Sequence, residues 1–178
     1  GSHAETTAPK VKAAALTLFS RHGYAAVSMR QIAAEVGVQA GALYTYTPDK
    51  QTLLFSLMHD HMTELLAEWG QFVCETDPLA RLMGFVRCHL DYHLPRKEAV
   101  FISYMELRNL SEENFATIEN LRKSYEDRLE EIVQTGMTQG VFQVSDSKIA
   151  TMAVIGLLKE TSTWYRPDGR LSAAQLVE

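Results

Sequence analysis

Cysteine is scarce: Cys74 and Cys88 are the only two in 178 residues, which excludes a disulfide-stapled scaffold. No apolar run approaches the ~18 to 20 residues that a membrane-spanning helix requires. No repeat, low-complexity segment, signal peptide or lipidation motif is present, and no stretch alternates convincingly with the period of two that marks a strand. What remains is ordinary globular composition, 46% apolar and 22% charged, in a chain long enough to bury roughly 70% of its unfolded surface without a metal or a disulfide. Both cysteines fall in apolar helical stretches, where a free thiol behaves as a small core hydrophobe. This fits a reducing cytoplasm. Gly1-Ser2-His3 reads as an expression scar, and residues 1–8 as a tail.

Charge is uneven. Residues 9–50 carry five Lys/Arg against two Asp/Glu, whereas residues 51–178 carry twelve against nineteen. A basic N-terminal part inside an acidic chain does not by itself imply nucleic acid, because a solvated face looks the same.

Helical signals fill the chain. Val11, Ala14, Ala15, Leu18 and Phe19 share one face of a first helix that starts at Pro9 and stops at Gly23. Ser28 is placed to cap a helix over Met29–Val36, ended by a left-handed Gly37. A third helix spans residues 39–46. Thr47 as cap and Pro48 as first turn open a long helix to about residue 74. Asp77-Pro78 opens the next, which stops at Pro95; another covers about 96–109, and Ser111 caps a long one ended by Gly140. Asp146 starts a helix apolar nearly all round, with Ile149, Met152, Ala153, Val154, Ile155, Leu157 and Leu158, which predicts burial on two sides. A loop over 166–171 precedes a last helix, capped by Ser172, that reads as cut short. The fold class is all-α.

Residues 28–46 have the spacing of a helix-turn-helix, a geometry that places its second helix in the major groove. Gln39, Ala40, Gly41 and Ala42 open that helix with small side chains, so its backbone can approach a duplex while Gln39 pairs with a base edge. Tyr44, Tyr46 and Lys50 offer hydroxyl and ammonium donors to phosphates.

The run Met29-Arg30-Gln31-Ile32-Ala33-Ala34-Glu35-Val36-Gly37-Val38, then Gly41-Ala42-Leu43-Tyr44, Lys50 and Leu53-Leu54, resembles the TetR family of bacterial repressors. Gly140 to Asp146 is similar to the loop before that family's penultimate helix. The resemblance implies a nine-helix homodimer, with residues 9–47 as the DNA-binding domain and residues 48–178 holding the ligand site and dimer interface. It assigns phosphate contacts to Ser28, Tyr44, Tyr46 and Lys50, base contacts to Gln39, Ala40 and Gly41, and an extra contact to Arg30. The chain departs from the family at Thr45-Tyr46-Thr47 and Asp49, where a Tyr-His-Phe-type run and a serine are usual. The packing of a Phe at position 47 must therefore come from elsewhere.

In the second part, Phe85, His89, Tyr92, Phe101, Tyr104, Met105, Tyr125 and Trp164 are candidates to line an effector pocket, though such stripes are also what a core looks like. Arg122 shares a stripe with Ile118, Tyr125, Leu129 and Ile132 and needs an answering group, either a carboxylate such as Glu106 or Asp91 or an anionic ligand. His89 and His93, at i and i+4 with Cys88 or Asp91 nearby, are too few for a closed metal site, so no metal is assigned. No cofactor is called for. The tail from Trp164 to Ser172 resembles a pattern in TetR-family repressors of fatty-acid and steroid catabolism, which implies an acyl-CoA effector; the alternative is that Trp164 and Tyr165 pack the dimer interface.

The expectation is a cytoplasmic repressor released from a pseudo-palindromic operator by a small hydrophobic or acyl-CoA effector. Sensing of a metal or another small molecule, or activation instead of repression, stays open. No nucleophile–base pair argues for an enzyme, and a purely architectural dimer would show no sequence preference.

Overall fold

The computed structural model describes residues 3–72 and 76–178; Cys74 lies outside them. Among the described residues there are eight α-helices and no strand: α1 His3–His22, α2 Met29–Val36, α3 Ala40–Leu43, α4 Lys50–Gln71, α5 Pro78–His93, α6 Lys97–Met105, α7 Glu112–Thr138 and α8 Ser147–Trp164. Single 3₁₀ turns lie at Tyr24–Ala26, Leu107–Asn109 and Ala174–Leu176. The class is all-α, one helix short of nine. Ser172 does form a capping box, donating its N–H to Gln175 Oε1 at 2.9 Å and accepting from Gln175 N at 3.2 Å, and it opens the last 3₁₀ turn.

Three helix starts differ from the sequence expectation. Helix α1 begins at His3, so residues 3–8 are its first turns and Pro9 sits inside it. Proline removes one backbone bond but not the helix, and the Ala-rich sequence that follows sustains it. The regular part of the recognition helix is the four residues of α3, with Gln39 as N-cap; residues 44–47 continue it as a tightened turn, Thr45 N bonding Ala42 O and Tyr46 N bonding Leu43 O. Helix α4 is capped by Asp49, not Thr47: Asp49 Oδ1 accepts from Thr52 N at 2.7 Å, and that bond holds the Asp49 carboxyl below its usual range. The two departures from the family pattern thus explain one another. Thr47 is buried where a phenylalanine was expected, and its hydroxyl donates to Asp49 O at 3.0 Å.

The chain divides into two compact units, Gly1–His61 with Glu98–Ile118, and Met62–Lys97 with Glu119–Glu178. In the first, α1 packs on α2 and α2 on α3, over Val11, Ala15, Phe19, Val27, Ile32, Ala33 and Leu43, all nearly inaccessible. Ser28 caps α2 with a full capping box and Gly37 ends it at φ 80°. Val27 and Ile32, both buried, occupy the positions of a hydrophobic staple. The turn between the two motif helices is therefore fixed from both sides.

The second unit is built on Leu65, Trp69, Phe85, Leu90, Tyr125, Leu129, Ile132 and Leu158. Helix α8 buries Thr151 and Leu158 but leaves Ile149 71% and Leu157 72% exposed, with Met152 and Trp164 exposed beside them. Burial on two sides is thus not met within this chain: one face is covered and the other is apolar and open. Gly136 lets the loop after α7 fold back, its carbonyl accepting from Val141 N and Phe142 N, and a Cβ there would run into the Phe142 ring. Gly136→Ala is expected to lower stability by about 1–3 kcal/mol through overpacking, read as a shift of the urea midpoint at constant slope.

Candidate nucleic-acid interface and effector unit

The recognition turn presents what close approach to a duplex demands. Gln39, Gly41 and Ala42 are exposed, Ala40 is half-buried, and Leu43 faces inward with no accessible surface. Tyr44 stands 53% exposed directly after them, and Tyr46 is half-buried. Arg30 is exposed in the first turn of α2, whose free backbone N–H groups also suit an anion. Ser28 is exposed, and its hydroxyl both accepts from Gln31 N at 3.2 Å and donates to Gln31 Oε1 at 3.0 Å. A phosphate contact by that hydroxyl competes with the cap.

Lys50 is already engaged inside the first unit. Its ammonium donates to Tyr24 O at 2.8 Å and lies 4.1 Å from the centre of the Tyr24 ring. An ammonium has three donors, so a phosphate bond remains open to it while it holds Tyr24. Tyr24 itself, and the residues that grip it, Gln51 and Glu106, were not legible as functional from sequence. From sequence, Glu106 stood only as a candidate partner of Arg122.

The second unit gathers part of the predicted effector set. Phe85 stacks on Tyr125 at 4.9 Å and lies 6.4 Å from His89. His89 Nδ1 and the Tyr125 hydroxyl are hydrogen-bonded at 2.9 Å, and the His93 ring stacks on His89 at 3.8 Å. Tyr92 donates its hydroxyl to Glu64 at 3.1 Å, with Arg96 stacked 4.0 Å above its ring. Burial, the Glu64 charge and that hydrogen bond raise the Tyr92 phenol well above its ordinary value. Phe101, Tyr104 and Met105 belong to the first unit instead, with Phe101 and Met105 exposed. Sequence proximity on a stripe did not group these residues with Phe85.

Arg122 finds Glu119, one turn back, at 3.4 Å. That is a carboxylate, the kind of answer expected; of the two carboxylates named as examples, Glu106 accepts from Tyr24 and Asn109. An i,i+3 pair is local. Trp164 is 53% exposed and lines a cavity of about 240 Å³ with Tyr165, Arg166, Gly169, Arg170 and Leu171. Lys97 donates to Tyr165 O at 2.8 Å and fixes one wall.

His93 Nδ1 donates to the His89 carbonyl at 2.8 Å, which sets its tautomer. Burial, joined by the Arg96 charge, outweighs that bond and brings the His93 ring down to about 4. Among the described residues no group of three His, Cys, Asp or Glu is placed to hold a metal. Burial, with Glu68 and Asp91 adding, pushes the Cys88 thiol up to about 11. In a Cys74→Ser protein at pH 8, Cys88 is expected to react with a disulfide reagent only on unfolding; a burst of labelling in that native variant at a rate near that of free cysteine would contradict this packing. No helix is long and apolar enough to cross a membrane among the described residues.

Comparison with known proteins agrees with this anatomy over nearly the whole chain. Residues 12–57 match the family described as bacterial regulatory proteins, tetR family, and residues 75–178 match the tetracyclin repressor-like C-terminal domain. The chain is 27% identical over 168 residues, covering 91% of itself and 80% of the relative, to the HTH-type transcriptional repressor KstR2 of Mycolicibacterium smegmatis. It superposes with a TM-score of 0.87 and 28% identity on a tetR-family regulatory protein from Rhodococcus RHA1, covering 99% of this chain and 94% of that one. It also superposes with a TM-score of 0.85 and 26% identity on AibR in complex with isovaleryl coenzyme A and operator DNA, covering 96% and 94%. With a helix-turn-helix capped and stapled as that motif requires and both halves matched, the chain belongs to the TetR family of bacterial regulatory proteins: a DNA-binding regulator, not an enzyme.

Proposed function

We propose that this protein is a cytoplasmic, ligand-responsive transcriptional repressor that binds a pseudo-palindromic operator as a homodimer and is released by an acyl-CoA thioester. The observation that carries the reading is the likeness to AibR, a complex that holds both an acyl-CoA and operator DNA, at 26% identity over 96% of this chain. The similarity to KstR2 repressors supports the sense of regulation.

Residues 9–47, together with Lys50 just beyond them, make the DNA contacts. Gln39, Ala40 and Gly41 meet base edges, Tyr44, Tyr46, Lys50 and Ser28 meet phosphates, and Arg30 adds one more. Two such heads reach successive major grooves about 34 Å apart. Residues 48–178 bind effector and partner. The open face of α8, with Ile149, Met152, Leu157 and Trp164, supports the dimer, because an apolar stripe of that extent is costly in water. In the second unit, the His89–Tyr125 hydrogen bond beside the Phe85 ring gives a polar point within apolar surroundings, where we place the acyl end of the effector. The AibR complex also sets a limit on the switch: effector and operator bind together there, so release is a finite coupling free energy, not mutual exclusion.

Native mass spectrometry on the purified protein, alone and with isovaleryl-CoA or palmitoyl-CoA, tests both halves. A dimer that retains an acyl-CoA but not free coenzyme A is expected. A monomer would remove the two-head mechanism, and a dimer that holds no thioester would remove the effector.

A further inference from the structure

The link between α1 and the motif helices is the turn Tyr24–Ala26, and Tyr24 is gripped at each polar point it offers. Its backbone N–H donates to Glu106 Oε1 at 3.2 Å. Its carbonyl accepts from Lys50 Nζ at 2.8 Å. Its hydroxyl accepts from Gln51 Nε2 at 3.4 Å, and its ring packs edge-on against Phe19 at 5.3 Å. Gly23, at φ 84°, turns the chain immediately beside the Glu106 carboxylate.

The other ends of these grips converge on one corner of the chain. Glu106 Oε2 accepts from Asn109 Nδ2. Gln51 Nε2 donates to Asn109 O at 2.8 Å, while its Oε1 accepts from Ser111 N at 3.0 Å and from Asn114 Nδ2 at 3.2 Å. The corner formed by residues 106–114 is thus bonded through two side chains to the residue from which α2 and α3 hang. Glu106 is 7% exposed, so a displaced corner strands a buried carboxylate and a backbone N–H together. Helix α7 starts in this corner and runs on without a break to Thr138, carrying Tyr125, the partner of Phe85 and His89.

We propose that Glu106 and Gln51 are positioning residues that clasp Tyr24 to the α6–α7 corner and so couple the pose of the recognition helix to α7. The inference rests on the regulator reading above, in which head and effector unit communicate. Coupling of this kind is reciprocal, so operator binding must be felt along α7 whether or not the effector is known.

Hydrogen exchange of the full chain, with and without a duplex selected by the wild-type protein from a random pool, tests the clasp. In the wild type, saturating operator is expected to change exchange in residues 119–138 by about fivefold or more. In Glu106→Ala and Gln51→Ala, at operator concentrations that still saturate, that change is expected to vanish. Glu106→Gln keeps an acceptor for Tyr24 N–H and is expected to restore it. A merely structural role raises exchange around residues 24–27 and 106–114 with and without operator alike, and leaves the operator-induced difference on α7 intact; that result, or no difference in the wild type, overturns the proposal. If Glu106→Ala does not fold, Gln51→Ala carries the test, since Gln51 is only half-buried. Failure of the acyl-CoA reading shows separately, as operator affinity indifferent to added thioester.

Discussion

Lys50→Ala is expected to weaken binding to operator and to random duplex by a similar factor, about 100-fold or more for a dimer. On the proposed phosphate contact, each head would lose one charge-assisted bond of roughly 1.5–3 kcal/mol, and a dimer two. Lys50 also anchors the Tyr24 carbonyl at 2.8 Å, so the head loses part of its orientation with the charge. The salt dependence separates the two contributions: removal of one phosphate contact per head flattens the slope of log K against log salt by about two for the dimer. Gln39→Ala is the contrasting case. Gln39 is exposed at the start of α3 with no capping bond of its own, so its loss is expected to reduce discrimination between matched and mismatched sites while leaving random duplex affinity nearly unchanged. A Lys50→Ala protein with weaker binding but an unaltered salt slope would place Lys50 in the scaffold alone.

Acidification is expected to destabilise the protein well before its carboxylates titrate. His93 is neutral in the fold, with its ring brought down to about 4 from an ordinary 6.5 by burial. Between those values the unfolded chain binds a proton that the folded chain does not, so stability falls as pH falls through this window. The full contribution, present above pH 6.5, is about 3 kcal/mol by the usual conversion of 1.36 kcal/mol per unit. The Arg96 charge adds to the cost of a charge on His93. Urea unfolding at pH 7 and pH 5 gives the slope. His93→Asn, which keeps a donor for the His89 carbonyl and has nothing to titrate, is expected to remove most of it; a variant with the wild-type slope would assign the acid sensitivity elsewhere.

The sequence made the helix-turn-helix legible because its determinants are local. Ser28, Gly37 and the alternation of buried Ile32, Ala33 and Leu43 with exposed Gln39 and Tyr44 are written within 20 residues, and they act through backbone bonds and φ values that a residue type implies directly. Competition between neighbouring candidates was less legible. Thr47 and Asp49 are both credible caps for α4, and only the geometry shows that the threonine turns inward while the aspartate takes Thr52 N. Pro9 marks a helix start by habit, yet α1 runs through it.

Long-range polar contacts were the hardest to read. Glu106 lies 82 positions from the Tyr24 amide it accepts, and nothing in either residue names the other. Arg122 shows the same difficulty inverted: its carboxylate, Glu119, stands one turn back on the same helix. The effector candidates divide for a related reason. Phe85, His89 and Tyr125 meet within one unit, whereas Phe101 and Met105 look equally apolar in sequence and belong to the other.

The measurement closest to the central claim is operator affinity by fluorescence anisotropy, with a duplex selected by this protein, as isovaleryl-CoA, palmitoyl-CoA and free coenzyme A are titrated at fixed salt. The account predicts that at least one thioester raises the apparent Kd for the selected duplex by roughly 5- to 150-fold at saturation, the usual range of a coupling between sites, while free coenzyme A does much less. Operator affinity that stays constant at saturating thioester, with binding of that thioester shown in the same samples, would contradict it.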